Sequence, residues 1–157
     1  MIEQTHKSIL LVEDEILIAM DEQAMLQENG YRVIVAHSGE KAIEMLAADP
    51  SIDLVLMDID LGSSMDGTET VRAILGAREI PIVFLTSHSE REMVEKVRNI
   101  TRFGYVIKNS GDFVLLSSIE MAFELFEAHK NMKESAERFR GVFETSPVGI
   151  AIVDTTD

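Results

Sequence analysis

The sequence predicts an α/β fold in which a doubly wound parallel sheet carries helices on both faces. Short apolar runs recur along the chain, and stretches with helical spacing separate them. Continuous apolar runs are typical of strands that are buried on both faces, and the alternation of strand and helix favours a parallel sheet. A third observation is that four runs end on polar side chains. These are Glu13, Asp14, Asp58, Thr86 and Lys108.

The five predicted strands are short, and polar or turn residues bound each of them. Pro81 has no amide hydrogen to donate, so it is tolerated only at the start of the fourth strand. The predicted strands are Ser8–Val12, Tyr31–Ala36, Asp53–Asp58, Ile82–Thr86 and Gly104–Lys108.

Helices are predicted between the strands, where apolar residues recur at three- and four-residue steps. The first follows Asp14 and ends at Asn29-Gly30, a common stop signal. Its predicted apolar face consists of Ile16, Leu17, Met20, Ala24, Met25 and Leu26. The later helices are predicted to open at Ser38-Gly39-Glu40, at Gly67, at Ser89 before Glu90–Ile100, and at Ser110-Gly111-Asp112.

The last helix has no clear stop, because the chain from Asp112 to about Glu144 contains no proline. The sheet needs only the first half of this stretch as cover, so residues 129–145 are predicted to form a connector helix. Apolar residues with mixed three- and four-residue steps resemble a short coiled-coil seam and favour a parallel homodimer. They are Phe123, Phe126, Met132, Ala136, Phe139 and Phe143.

Composition excludes several classes of protein. The 157 residues allow one ordinary domain and a short extension. The chain has no cysteine, so disulfides and thiolate metal sites are absent. A formal charge of −14 argues against contact with nucleic acid or with an anionic membrane. The first residues lack a signal-peptide pattern, and we expect a soluble, cytoplasmic chain.

The polar strand ends are predicted to form one site. The carboxyl ends of parallel strands share one edge of the sheet, which is where ligands bind in such folds. Glu13, Asp14 and Asp58 would bring three carboxylates to that edge, Thr86 a hydroxyl and Lys108 an ammonium group. This combination predicts a site for a cation and a phosphoryl group.

In order, type and spacing, these residues resemble the receiver domain of response regulators in two-component signalling. The resemblance covers about residues 7–128, and it assigns residues 1–128 to a receiver domain. It implies a flavodoxin-like sheet of five strands in the order 2-1-3-4-5. It also implies a phosphodonor partner, which would be a histidine kinase or a phosphotransfer protein.

The resemblance implies a role for each site residue. Asp58 would be the phospho-acceptor, and Mg²⁺ would bind the carboxylates of Asp14 and Asp58 and the backbone carbonyl of Asp60. Glu13 would hold a metal-bound water. Oxygen ligands of this kind suit Mg²⁺, which keeps several waters when it binds protein.

Three further residues would transmit the phosphorylated state. By the same resemblance, Lys108 contacts the phosphoryl group and Thr86 is the switch hydroxyl. Tyr105 is the switch aromatic residue, which moves when Thr86 turns toward the phosphoryl group.

The end of the chain resembles the opening of a PAS sensor domain. The residues Phe143 to Ile150 match the pattern Phe-x-x-Ser-Pro-x-Gly-Ile, and an apolar strand would follow. A whole domain needs on the order of 100 residues. We therefore expect residues 146–157 to be the start of a truncated PAS domain and the chain to be a piece of a longer protein.

Two departures from the family pattern lie beside the site. Asn109 follows Lys108 where proline is usual, which leaves a cis or a trans bond open, and Ser87 replaces a smaller residue after Thr86. One alternative function is a pseudo-receiver that binds proteins without phosphorylation, and another is a metal-dependent phosphatase. No catalytic domain is expected beyond self-phosphorylation and autodephosphorylation at Asp58, although the full-length protein could be a histidine kinase.

Overall fold

A five-stranded parallel sheet forms the centre of the computed structural model, which describes residues 6–62, 65–87, 95, 96, 98, 99 and 104–145. The strand order is β2-β1-β3-β4-β5, which confirms the predicted topology. The strands are β1 (Ser8–Val12), β2 (Arg32–Ala36), β3 (Leu54–Asp58), β4 (Ile82–Thr86) and β5 (Tyr105–Ile107).

Four helices are described beside the sheet. They are α1 (Ile16–Glu28), α2 (Gly39–Ala48), α3 (Gly67–Ala77) and α4 (Asp112–Thr145). The Ser38 hydroxyl accepts a hydrogen bond from the Lys41 amide and so caps α2, and Asp66 caps α3 in the same way. The predicted helix Glu90–Ile100 lies mostly outside the described residues, as do its predicted cap Ser89 and the PAS-like segment 146–157.

The sheet is buried on both faces, as the continuous apolar runs predict. Strands β1, β3 and β4 are buried along their whole length. One core cluster lies between the sheet and α2 with α3, and a second lies between the sheet and α1 with α4. Among the described residues, no helix is both long and apolar enough to cross a membrane.

Strand register aligns the polar strand ends. Val12 of β1 is paired with Met57 of β3, so Glu13 comes level with Asp58. Thr86 of β4 is paired with Ile107 of β5, immediately before Lys108. The site therefore follows directly from the register of the parallel sheet.

The predicted apolar face of α1 is wrong at four of its six residues. Ile16, Leu17 and Met20 are 62%, 78% and 58% exposed, and Ala24 is exposed as well. Ala19 and Leu26, which are seven residues apart, are buried against the sheet instead. Leu17, Met20 and Ala24 lie two, one and five positions from Ala19, and helical geometry turns them away from that face. The exposed apolar side chains lie just after the predicted site residue Asp14.

Helix α4 is continuous over 34 residues, as predicted, but its predicted coiled-coil seam is wrong at Phe123. The Phe123 ring stacks on Tyr31 with centroids 6.3 Å apart and packs against the second core cluster. Leu115 and Ile119 are buried in the same cluster. This side of α4 therefore faces the chain's own sheet, so it is not free to face a partner.

Candidate functional site

Three carboxylates converge at the carboxyl edge of the sheet. One oxygen from each of Glu13, Asp14 and Asp58 lies within 4.8 Å of the other two. Glu13 and Asp58 are buried, and Asp14 is half-buried. Backbone amides orient two of them: the Gly62 N–H donates to Asp14 Oδ2 at 2.8 Å, and the Asp60 N–H donates to Asp58 Oδ1 at 3.0 Å.

Lys108 places its ammonium group between two of these carboxylates. Its Nζ donates to Asp58 Oδ2 at 3.0 Å and to Glu13 Oε1 at 3.2 Å. Burial alone would lower the pKa of Lys108, but the hydrogen bonds and charges of Asp58 and Glu13 outweigh it and raise that pKa. Lys108 is therefore a fixed positive charge beside Asp58.

The backbone around Lys108 is held by the neighbouring strand. Its amide donates to the Thr86 carbonyl at 2.7 Å. Asn109 adopts a left-handed φ of 67°, which asparagine tolerates better than most residues. The Lys108–Asn109 bond is trans, since the described residues contain no cis peptide. A trans bond before Asn109 is thus compatible with the Lys108 contacts.

Glu13 has a buried carboxyl group, and one of its two oxygens makes no hydrogen bond to the described residues. Burial and the neighbouring Asp58 raise its pKa to about 8, and Lys108 opposes them only in part. Its Oε2 atom has no hydrogen-bond partner within the described part of the chain. Such an atom is able to accept a proton or to bind a cation.

These residues fit a magnesium ion. The cluster offers only oxygen ligands, as Mg²⁺ requires. Among the described residues, none donates a hydrogen bond to Glu13 Oε2. The acidic residues repel one another, and a divalent cation would relieve this repulsion. The donor set therefore suits Mg²⁺ at Asp14 and Asp58, with Glu13 nearby.

Two glycines let the backbone approach the site closely. A Cβ atom at Gly67 would lie 2.2 Å from the Asp58 carbonyl oxygen, and one at Gly62 would lie 2.9 Å from Asp14 Oδ2. Side chains at these positions would collide with the strand end or with the carboxylate. The loop after β3 thus depends on glycine to fold over Asp58.

The other predicted site residues lie at different distances from the carboxylates. Thr86 is buried at the end of β4, one residue beyond the partner of Asp58 in the strand register. Tyr105 is 36% exposed and is paired with Phe84, two positions before that edge. The structure therefore places Thr86 at the edge and Tyr105 outside the carboxylate cluster.

The loop residue Asp60 has a hydroxyl neighbour. Ser87, which follows β4, donates from its Oγ to Asp60 Oδ2 at 3.3 Å. This contact joins the loop after β3 to the loop after β4 above the site. Ser87 therefore contacts the loop that follows Asp58, and the Asp58–Lys108 ion pair forms in its presence.

Sequence reasoning missed one acidic residue near the site. Glu22 of α1 lines a cavity of about 330 Å³ together with Lys108. Its buried Oε2 lacks a hydrogen-bond partner among the described residues, and burial is the main cause that raises its pKa to about 7. Ala19, Glu22 and Leu26 have helical spacing, so Glu22 shares the buried face of α1, which the apolar pattern of the sequence did not reveal.

The sequence model of the response regulator receiver domain matches residues 9–120. Among curated relatives, the transcriptional regulatory protein PdtaR of Mycobacterium tuberculosis is 37% identical over 121 residues. That alignment covers 76% of this chain and 58% of PdtaR. The chain therefore spans little more than half of this relative.

Solved structures show the same similarity. The N-terminal domain of a response regulator/sensory box/GGDEF 3-domain protein from Carboxydothermus hydrogenoformans is 45% identical, with a TM-score of 0.72. The match covers 78% of this chain and 98% of that one. The receiver domain of a modulated diguanylate cyclase from Desulfovibrio desulfuricans G20 is 33% identical, with a TM-score of 0.70 and coverage of 79% and 98%.

Proposed function

This chain belongs to the response regulator receiver family, and on that premise we propose that Asp58 accepts a phosphoryl group. The donor is a phosphohistidine of a histidine kinase or a phosphotransfer protein. One observation carries the proposal: the buried Asp58 carboxylate pairs with Lys108 beside the carboxylates of Glu13 and Asp14. A buried carboxylate needs a partner or a chemical role, and this arrangement provides both.

In the proposed reaction, an Asp58 carboxylate oxygen attacks the phosphorus atom. The bond between phosphorus and the donor imidazole breaks, and its electron pair returns to the imidazole. Phosphoryl transfer depends mostly on positioning and on charge neutralisation. Lys108 supplies positive charge, and the Asp60 amide holds Asp58 Oδ1 in place.

Repulsion among the acidic side chains of the site favours the binding of a cation. Two like charges about 4–5 Å apart repel by roughly 3–4 kcal/mol at an effective dielectric constant near 20. Mg²⁺ held by Asp14, Asp58 and the Asp60 carbonyl, with Glu13 on a metal-bound water, would supply positive charge to the phosphoryl oxygens. Asp14 already has a fixed orientation, since the Gly62 amide holds its Oδ2.

The proposed switch uses Thr86 and Tyr105. The Thr86 hydroxyl would donate a hydrogen bond to the phosphorylated Asp58, and such charge-assisted bonds contribute about 1.5–3 kcal/mol. Tyr105 is only partly exposed on the adjacent β5, so a shift of the β4 end would change its packing. The switch then biases the surface of β5.

The donor needs a surface on which to dock beside Asp58. Ile16, Leu17 and Met20 are exposed at the start of α1, directly after the acidic pair. Exposed apolar side chains that cluster together mark interaction sites. We propose that this patch receives the donor, in the cytoplasm.

The proposed output lies farther along the same chain. Residues 1–128 form the receiver domain, 129–145 the connector helix and 146–157 the start of a PAS domain. The Carboxydothermus protein named above carries a sensory box in addition to its response regulator domain. A sensor module that follows the receiver through α4 is the analogous arrangement here.

The proposal is tested by intact mass after incubation with acetyl phosphate, with Mg²⁺ or with EDTA. We expect one added phosphoryl group that needs Mg²⁺, is absent in Asp58→Asn, and forms at least about tenfold more slowly in Lys108→Met. Equal labelling of Asp58→Asn would contradict it. A folded wild-type chain that stays unlabelled would favour the pseudo-receiver.

A further inference from the structure

A cavity of about 330 Å³ lies beside Lys108, where α1, β4, β5 and the start of α4 meet. Glu22 of α1 brings a carboxyl group to its wall. Three other lining residues are buried members of the second core cluster, namely Leu85, Val106 and Leu115. Apolar walls screen a charge less than open water does, so a charge on Glu22 acts strongly on the charged groups nearby.

The rotation of α1 places Glu22 in the wall of this cavity. Ala19 and Leu26 are buried against the sheet, and Glu22 lies three residues after the first and four before the second. Its Oε2 atom is buried and has no hydrogen-bond partner among the described residues. A buried acid without such a bond lowers stability, so packing alone does not account for Glu22.

Lys108 has a hydrogen-bond donor to spare. An ammonium group carries three N–H donors. Lys108 uses two of them, toward Asp58 Oδ2 and Glu13 Oε1, and the described part of the chain offers no third acceptor. Lys108 also lines the cavity that Glu22 lines. A spare donor and a spare acceptor therefore belong to two residues of one cavity.

The charges around Glu22 are unbalanced. The titratable residues that share its cavity are Asp21, Asp112 and Lys108, and of these described residues Lys108 alone is positive. Burial is the main cause that raises the pKa of Glu22 to about 7; Lys108 acts against it, and Asp58 and Asp21 act with it. Glu22 thus responds to Lys108 and Asp58, the two groups that the proposed reaction uses.

We propose that Glu22 is a positioning residue for the reaction at Asp58 and that it acts through Lys108. When Glu22 is protonated, the Lys108 ammonium group stays with Asp58 and is available to the phosphoryl group. When Glu22 is ionised, its carboxylate competes for that ammonium group and repels the incoming phosphoryl oxygens, so phosphorylation slows. Glu22 needs no contact with the phosphoryl group. The inference deepens the proposed function and rests on it.

Rates of phosphorylation between pH 5.5 and 8.5 test this role. Wild type, Glu22→Gln and Glu22→Leu are incubated with acetyl phosphate and saturating Mg²⁺, and intact mass follows the added phosphoryl group. Dividing each variant's rate by the wild-type rate at the same pH removes the ionisation of the donor and of Glu13. We expect both ratios to rise by at least about threefold from pH 5.5 to 8.5. Glu28→Gln, an exposed control on the same helix, should give a constant ratio.

An NMR titration of the Glu22 carboxyl carbon tests the link to Lys108 without any phosphorylation. Glu22→Gln assigns the signal. In the metal-free wild type we expect a midpoint at about pH 7. The midpoint should be higher in Lys108→Met, because that variant lacks the positive charge that favours the Glu22 carboxylate.

Every other outcome contradicts a stated step. A labelled chain whose Glu22→Gln ratio stays constant or falls as pH rises overturns the inference, and so does a rise that Glu28→Gln shares. An unchanged or lower midpoint in Lys108→Met overturns the action through Lys108. Absence of labelling in every chain at every pH overturns the proposed function and the rate effect with it, and the NMR midpoint then decides whether Glu22 and Lys108 are coupled.

Discussion

At the scale of single residues, the carboxyl group of Glu13 links the site to pH. Glu13 is fully buried, it accepts a hydrogen bond from Lys108 through Oε1, and its Oε2 has no partner among the described residues. With a pKa of about 8, it keeps a proton at neutral pH when no cation is present. A divalent cation at the site would displace that proton, because it favours the charged carboxylate.

This predicts that the metal-free protein loses stability as pH rises from 5.5 to 8.5. The pKa values of Glu13 and Glu22 are raised from 4.5 to about 8 and about 7, so the folded chain binds more protons than the unfolded one in this range. Their stabilisation is complete below about pH 4.5 and is lost as pH rises through 7 and 8. We expect a loss on the order of a few kcal/mol in urea unfolding with EDTA.

Two variants and one addition serve as controls for that pH dependence. Glu13→Gln and Glu22→Gln remove the titrating groups, so each should flatten the curve of unfolding free energy against pH. Mg²⁺ should also reduce the loss, because it compensates the charge on Glu13. A wild-type stability that is constant or rises over this range would contradict the account.

The sequence predicted the principal contacts of the site and missed others. Glu13, Asp58 and Lys108 could be placed together because each follows a buried strand, and parallel register then brings them to one edge. Glu22 could not be placed, because the rotation of α1 decides whether it faces the core. Rotation of a helix depends on packing that the apolar pattern alone does not specify.

At the scale of elements, α3 depends on one glycine and tolerates replacement of another. Gly67 begins α3 beneath the end of β3, where a Cβ atom would lie 2.2 Å from the Asp58 carbonyl oxygen. Gly76 is near the other end of the same helix, and a Cβ atom there would meet nothing within 4 Å. The two positions form a matched pair.

Gly67→Ala is expected to destabilise the chain by about 1–3 kcal/mol, because backbone atoms cannot yield to the added methyl group. Gly76→Ala is expected to stabilise it by roughly 0.5–1 kcal/mol, since alanine is the better helix former. Urea unfolding at one pH measures both. A Gly67→Ala variant as stable as Gly76→Ala would contradict the close approach of α3 to Asp58.

Strands were predicted more accurately than helix faces. The bounds of β1 and β4 agree with the prediction, those of β2 and β3 begin one residue later, and β5 is one residue shorter at each end. Continuous apolar runs have no alternative placement in a sheet buried on both sides. The face of α1 was partly wrong because this helix carries apolar residues all around its N-terminal turn, including the exposed Leu17. The seam of α4 was wrong at Phe123 because that ring packs on Tyr31 and the second core cluster.

At the scale of the whole molecule, the long helix α4 begins close to the edge of the sheet that carries the site. The carboxylates and Lys108 lie at one edge, and α4 begins four residues after Lys108. The loop between them, with Asn109 in a left-handed conformation, connects the proposed phosphorylation site to α4. The Asp58–Lys108 ion pair and the four residues from Lys108 to Asp112 therefore connect Asp58 to α4.

The central claim is that Asp58 forms an acyl phosphate, and chemical mapping of that bond tests it most directly. Borohydride reduces an aspartyl phosphate to homoserine, which peptide mass spectrometry locates in the sequence. After treatment with acetyl phosphate and Mg²⁺, we predict homoserine at position 58 and at no other aspartate. Homoserine at position 14 or 60, or a labelled chain that yields none, would contradict the assignment of Asp58.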